Sequence, residues 1–139
     1  MITCNEFARM LNGRKYGHEI TKDEEQLAKD NGLVVVFAYS DDNMEFRGAI
    51  NGEIDCYDGG GTAYLDKDGL FANNCDDDDC PYAREMKGRC KTIQAEWDDR
   101  GNPTWTYNTD IPCEVFDILE DGELWCYGIV FEMAALSLP

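Results

Sequence analysis

The run Asn74 to Cys80 (NCDDDDC) sets two cysteines five positions apart around four consecutive aspartates, with Cys56 and Cys90 standing on either side. Thiolates are soft ligands that bind zinc at about 2.3 Å, and four of them satisfy the metal's tetrahedral preference. The chemistry expected of Cys56, Cys75, Cys80 and Cys90 is a structural zinc site. The spacing is wider than a CxxC knuckle, and Cys113 or Asp76 can replace Cys56 or Cys90 in the ligand set. Cys4, Cys113 and Cys126 otherwise read as small core hydrophobes. The aspartates are hard oxygen donors, yet neither Asp76 to Asp79 nor Asp66-Lys67-Asp68-Gly69 fits the twelve-residue calcium loop with its closing bidentate glutamate. They read as a solvated acidic loop, as does Asp98-Asp99.

Acidity is the second theme. Asp and Glu outnumber Lys and Arg by 29 to 12, for a formal charge of -17. Hydrophobic residues still make up 43% and aromatics 12%, enough for a folded chain, and 139 residues suit one domain spanning 1–139. Such a surface repels phosphate backbones, because nucleic-acid binding rests on neutralising them with Lys and Arg. Its natural partner is a basic protein surface, met by acids such as Asp76, Asp77, Asp78, Asp79, Asp98, Asp99, Glu120 and Asp121. The longest apolar stretches, Leu33 to Tyr39 and Ile129 to Phe131, fall well short of the roughly 20 residues that cross a bilayer. The start MITCNEFARM lacks the features of a secretory signal, so a cytoplasmic setting with reduced thiols is expected.

No catalytic constellation accompanies these features. His18 is the single histidine, and His18-Glu19 and Cys80-Pro81 do not supply the His-x-Glu and Pro-Cys-x-x-Cys motifs of a zinc deaminase. Gly59-Gly60-Gly61 is followed by Thr62 rather than the Gly-Lys pair of a phosphate loop, and no Gly-x-Ser-x-Gly elbow occurs. A non-enzymatic protein is expected.

The elements that must position these residues are α+β: helices at the N-terminus, then a mostly antiparallel sheet. Thr3/Glu6 and Thr21/Glu24 have capping-box spacing, with Asn12-Gly13 and Asn31-Gly32 as the matching stops. Ile2 and Phe7 are placed to staple the first helix. Leu33 to Tyr39 is too β-branched and too short for a typical helix and reads as a central strand. Asn51-Gly52 between Met44–Ile50 and Glu53–Tyr57 predicts a type I′ hairpin. Gly59 to Gly61 permit a tight reversal into Thr62 to Asp66, Asp68-Gly69 marks another turn before Leu70 and Phe71, a short helix is expected at Tyr82 to Lys87, and Lys91 to Trp97 reads as a strand. A last hairpin, Cys113 to Leu119 with Leu124 to Phe131, turns on Asp121-Gly122. That turn pairs Ile118 with Trp125, Asp117 with Cys126 and Cys113 with Val130. Cys113 and Cys126 then stand about 13 Å apart, too far to share a metal.

The stretches CYDGGGTAYLDKDGLFANNCDDDDCPY, WTYNTDIP and EDGELWCYGIVF resemble small acidic proteins carried by phages and mobile elements of Firmicutes. The whole resembles the type II-A anti-CRISPR group, small proteins that inhibit the RNA-guided DNA nuclease of that system. The resemblance carries Cys56, Cys75 and Cys80, and not consistently Cys90. It implies a non-enzymatic inhibitor in the host bacterial cytosol that binds a basic surface of the type II CRISPR nuclease and impedes nucleic-acid loading. The alternative is a small zinc-stabilised acidic regulatory or interaction protein with another partner.

Overall fold

The computed structural model describes residues 1–15, 20–40, 43–55, 60–66, 69–73, 90–96 and 108–136. Helix α1 (Cys4–Leu11) opens on a complete capping box: the Glu6 amide donates to Thr3 Oγ1 at 3.1 Å, and the Thr3 amide donates to Glu6 Oε1 at 3.2 Å. Each bond satisfies a donor that the first helical turn leaves orphaned. Helix α2 (Lys22–Asp30) repeats the device through Thr21 and Glu24. The second oxygen of Glu24 pairs with Arg14, which lies in the two-residue strand β1 (Arg14–Lys15) between the helices.

The strands follow as β2 (Leu33–Ser40), β3 (Asn43–Gly48), β4 (Gly52–Asp55), β5 (Gly60–Asp66), β6 (Gly69–Asn73), β7 (Lys91–Glu96), β8 (Asn108–Thr109), β9 (Cys113–Glu120) and β10 (Glu123–Glu132). They form two sheets: six strands in the order β1-β9-β10-β2-β3-β4, and four in the order β6-β5-β7-β8. All pairings are antiparallel except β1 with β9. The expected α+β class with two leading helices and a mostly antiparallel sheet thus holds, with the strands divided between two sheets. Among the described residues, no helix is long and apolar enough to cross a membrane.

Strand β2 lies inside the larger sheet, and Leu33 to Phe37 are all buried, which accounts for an apolar run without alternation. α1 packs on β9 and β10 through Phe7, Ala8 and Leu11, while α2 packs on β2 and β3. The Asn12-Gly13 stop also docks α1 to the sheet: Asn12 Oδ1 accepts from the Asp117 amide, and the Gly13 amide donates to the Asp117 carbonyl, both at 2.9 Å. One buried cluster includes residues of both sheets, among them Val36, Phe46, Phe131, Ala63, Leu65 and Ile93.

Two expectations are corrected. The hairpin near Asn51-Gly52 forms, but Phe46 pairs with Gly52, leaving a five-residue connection, Arg47 to Asn51, in place of a two-residue type I′ turn. The cause is Gly48, which still pairs with Val34 of β2 at φ +116. A Cβ there would stand 2.4 Å from the Leu33 carbonyl oxygen, so only glycine allows β2 this approach. Asn51 fastens the connection, its side chain accepting from the Gly48 amide and donating to the Gly48 carbonyl. In the last hairpin the turn is as expected, with Glu120 opposite Glu123 and Leu119 opposite Leu124. A bulge at Trp125 then shifts every later pair, so Ile118 faces Cys126, Asp117 faces Tyr127 and Cys113 faces Phe131. The extra residue lets Trp125 pack against the core while Leu124 stays exposed.

Candidate functional site

Of the expected zinc ligands, Cys56, Cys75 and Cys80 lie outside the described residues, as do Asp76 to Asp79, Asp98 and Asp99. Cys90 is described and buried, immediately before β7. The ladder of β5 with β7 runs from Gly60 opposite Glu96 to Leu65 opposite Lys91, and Asn73 of β6 lies opposite Thr62. Cys90 therefore sits at the Asp66 end of this ladder, about 20 Å along the strand from Gly60 and about 13 Å from the Thr62–Asn73 pair at roughly 3.3 Å per residue. Among the described residues, no three His, Cys, Asp or Glu side chains gather closely enough to hold a metal ion.

Two thiols that the sequence assigned to the core do meet. Cys4 at the start of α1 and Cys113 at the start of β9 line a 420 Å³ cleft together with Pro112, Glu114, Glu132, Ala134 and Ala135. Burial, then the carboxylates of Glu132 and Glu114 and the Cys113 thiol, push the Cys4 thiol up to about 11. Burial and Glu114 raise Cys113 as well. Both cysteines are free. Because the thiolate is the nucleophile and the metal ligand, this setting quiets both groups. The pairing of positions 109 apart in sequence has no local signature.

The remaining predicted contact residues, Glu120 and Asp121, are exposed at the tip of the β9–β10 hairpin. Sequence reading missed Glu123, which the ladder sets directly opposite Glu120. The signal was available, since a turn centred on Asp121-Gly122 already pairs these two positions. Asp121 carries φ 51, a left-handed value that aspartate tolerates better than most residues. Three acids thus surround one turn, and like charges directly opposite each other disfavour the pairing that holds them.

Four of the seven described Lys and Arg side chains are committed elsewhere. Arg14 pairs with Glu24, Lys29 with Glu25, Arg47 with Glu45 and Lys91 with Asp110. Glu45 is itself 2% exposed, a carboxylate held inside the sheet beside Arg47 on the same strand. The hairpin tip has no such pairing among the ion pairs of the described residues. No known family, curated protein or solved structure matches this chain.

Proposed function

We propose that this protein is a non-enzymatic inhibitor of a type II RNA-guided DNA nuclease, which it disables by occupying a basic protein surface and impeding nucleic-acid loading. The observation that carries the reading is the acid excess: a formal charge of -17 on 139 residues, with Lys and Arg already tied to acids at Arg14, Lys29, Arg47 and Lys91. A folded polyanion of this kind complements the positively charged channels in which such nucleases hold guide and target. Charge complementarity accelerates association and makes it sensitive to salt. The sequence resemblance to type II-A anti-CRISPR proteins points the same way.

Order of addition tests the proposal. DNA binding and cleavage are measured with the protein added before the guide, between guide and target, and after target. Competition for a channel surface requires inhibition to fall once the heteroduplex fills it. Equal inhibition at all three stages refutes interference with loading, and no inhibition at any stage refutes the reading. A stoichiometric end point is expected, whereas complete inhibition at substoichiometric amounts indicates turnover and an enzyme.

A further inference from the structure

Three asparagines of this chain precede glycine, in Asn12-Gly13, Asn31-Gly32 and Asn51-Gly52. An asparagine in that context can cyclise. The nitrogen of the following residue attacks the side-chain Cγ, the Cγ–Nδ2 bond breaks, and the attacking N–H supplies the proton with which Nδ2 departs as ammonia. A five-membered succinimide remains. Water then opens the ring at one of its two carbonyls, giving aspartate or, with the chain rerouted through Cγ, iso-aspartate. Glycine favours the attack because it has no Cβ to shield its nitrogen. The three pairs share this chemistry, so the fold sets them apart: the side chain must be released and the glycine nitrogen brought up to Cγ.

Two of the pairs are tied to distant segments. Asn12 Oδ1 accepts from the Asp117 amide while the Gly13 amide donates to the Asp117 carbonyl, both at 2.9 Å, so freeing this pair lifts the end of α1 off β9. Phe7 and Leu11 of α1 are fully buried and oppose that movement. Asn31 Oδ1 accepts from the Ile2 amide at 3.0 Å, its Nδ2 donates to the Leu27 carbonyl at 2.8 Å, and the Gly32 carbonyl accepts from the Met133 amide at 2.8 Å. Opening there detaches both the N-terminus and the end of β10 from α2. Asn51 is held differently. It is exposed, and among the described residues its side chain bonds to Gly48 alone, three residues back in the same connection. Gly52 is the last rung of the β3–β4 ladder, on the edge strand of the six-stranded sheet. Such ends open at the low extreme of local unfolding free energies.

We propose that Asn51 is a site of spontaneous deamidation and that the fold holds Asn12 and Asn31 unreactive. The product undoes its own fastening. Asn51 Nδ2 donates to the Gly48 carbonyl at 2.8 Å, whereas an aspartate there has no donor and sets a carboxylate against that carbonyl. Gly48 is the residue whose approach to the Leu33 carbonyl fixes this reversal, so the reaction loosens the β3–β4 connection at its anchor.

The test ages the full-length wild-type protein at mildly alkaline pH and follows each pair by peptide mapping. Mass spectrometry reads the gain when an amide becomes an acid, and chromatography separates the iso-aspartate form. The same protein unfolded in urea supplies the unprotected rate of each site. Relative to those rates, folded Asn51 should convert about tenfold or more faster than Asn12 and Asn31, because exposing one buried side chain such as Leu11 already suppresses an opening by that factor. Asn51→Gln should abolish the conversion at this position, since glutamine must close a larger ring. Asn51→Asp, the product made directly, should lower the urea midpoint by about 0.5 M or more, the loss of one hydrogen bond. Conversion of Asn12 or Asn31 at the relative rate of Asn51 overturns the assignment, as does an Asn51 that stays intact in the folded protein after the urea sample has reacted. A wild-type midpoint for Asn51→Asp overturns the loosening of the connection.

Discussion

Substituting alanine for Gly128 should reveal how tightly the last hairpin is packed. Gly128 lies opposite Phe116, and a Cβ added there would stand 2.1 Å from Phe116 Cζ, with Cε2 and Cε1 at 2.5 and 2.6 Å. The ring must therefore move, yet Phe116 is 4% exposed and has no open solvent to swing into. Full expulsion of a phenylalanine removes at least ~150 Å² from burial, worth about 4 kcal/mol at ~25 cal/mol/Å². Partial displacement resembles overpacking and costs ~1–3 kcal/mol. Gly128→Ala is expected to destabilise by about 2–4 kcal/mol. Phe116→Leu deletes the ring atoms that clash while keeping an apolar side chain. In that background the same glycine substitution should be neutral or stabilising by ~0.5–1 kcal/mol, because glycine inside a strand carries an entropic cost. The coupling energy is then about 3 kcal/mol, far beyond the scatter of additive sites. Urea unfolding of the four proteins measures it, since at ~2 kcal/mol/M the shift is roughly 1.5 M in midpoint. Equal costs of Gly128→Ala in both backgrounds would refute the packing of Phe116 over Gly128.

Further outcomes are expected. At pH 8, iodoacetamide should alkylate Cys4 about 100-fold more slowly in the folded protein than in urea, as a thiol raised from 9.0 to about 11 requires, and Glu132→Gln should speed it. Because the folded-state value lies above the unfolded one, the stability linked to this thiol is complete below about pH 9 and is lost as pH rises toward 11, so Cys4→Ser should flatten the alkaline fall in melting temperature. Glu45→Gln should cost about 2 kcal/mol by thermal or urea melts, as it leaves Arg47 without a charge that is held inside the sheet; no change would show that the pair contributes nothing. Protein made without a metal-affinity tag should carry about one zinc per chain by elemental analysis, and chelation should lower its melting temperature. Cys75→Ser and Cys80→Ser should lower metal content more than Cys4→Ser, with Cys90→Ser intermediate; metal-free protein under reducing conditions would remove the site.

Features legible in the sequence were those decided within a few residues. Thr3/Glu6 and Thr21/Glu24 cap their helices through bonds spanning three positions, and Asn12-Gly13 and Asn31-Gly32 end them, so each helix carries its own boundaries. The run Leu33–Phe37 announces a strand buried on both faces, and Asp121-Gly122 fixes its turn because few residues adopt the backbone it needs. The acid excess is a property of composition alone.

Tertiary structure decided whatever depends on two distant segments at once. Asn51-Gly52 would make a tight turn in isolation, but the packing of Gly48 against the Leu33 carbonyl moved the reversal upstream. The bulge at Trp125 arose because a large side chain gains by reaching the core, and it reset the pairing of every residue after it. Cys4 and Cys113 became neighbours only when α1 was laid along β9, and their raised thiols follow from that burial and from Glu132 and Glu114 brought beside them. The exposure of Val115 has the same origin. Apolar residues on both sides of a strand leave their partition undetermined, and only the packing of neighbouring elements decides that Ile129 is buried while Val115 opposite it is exposed.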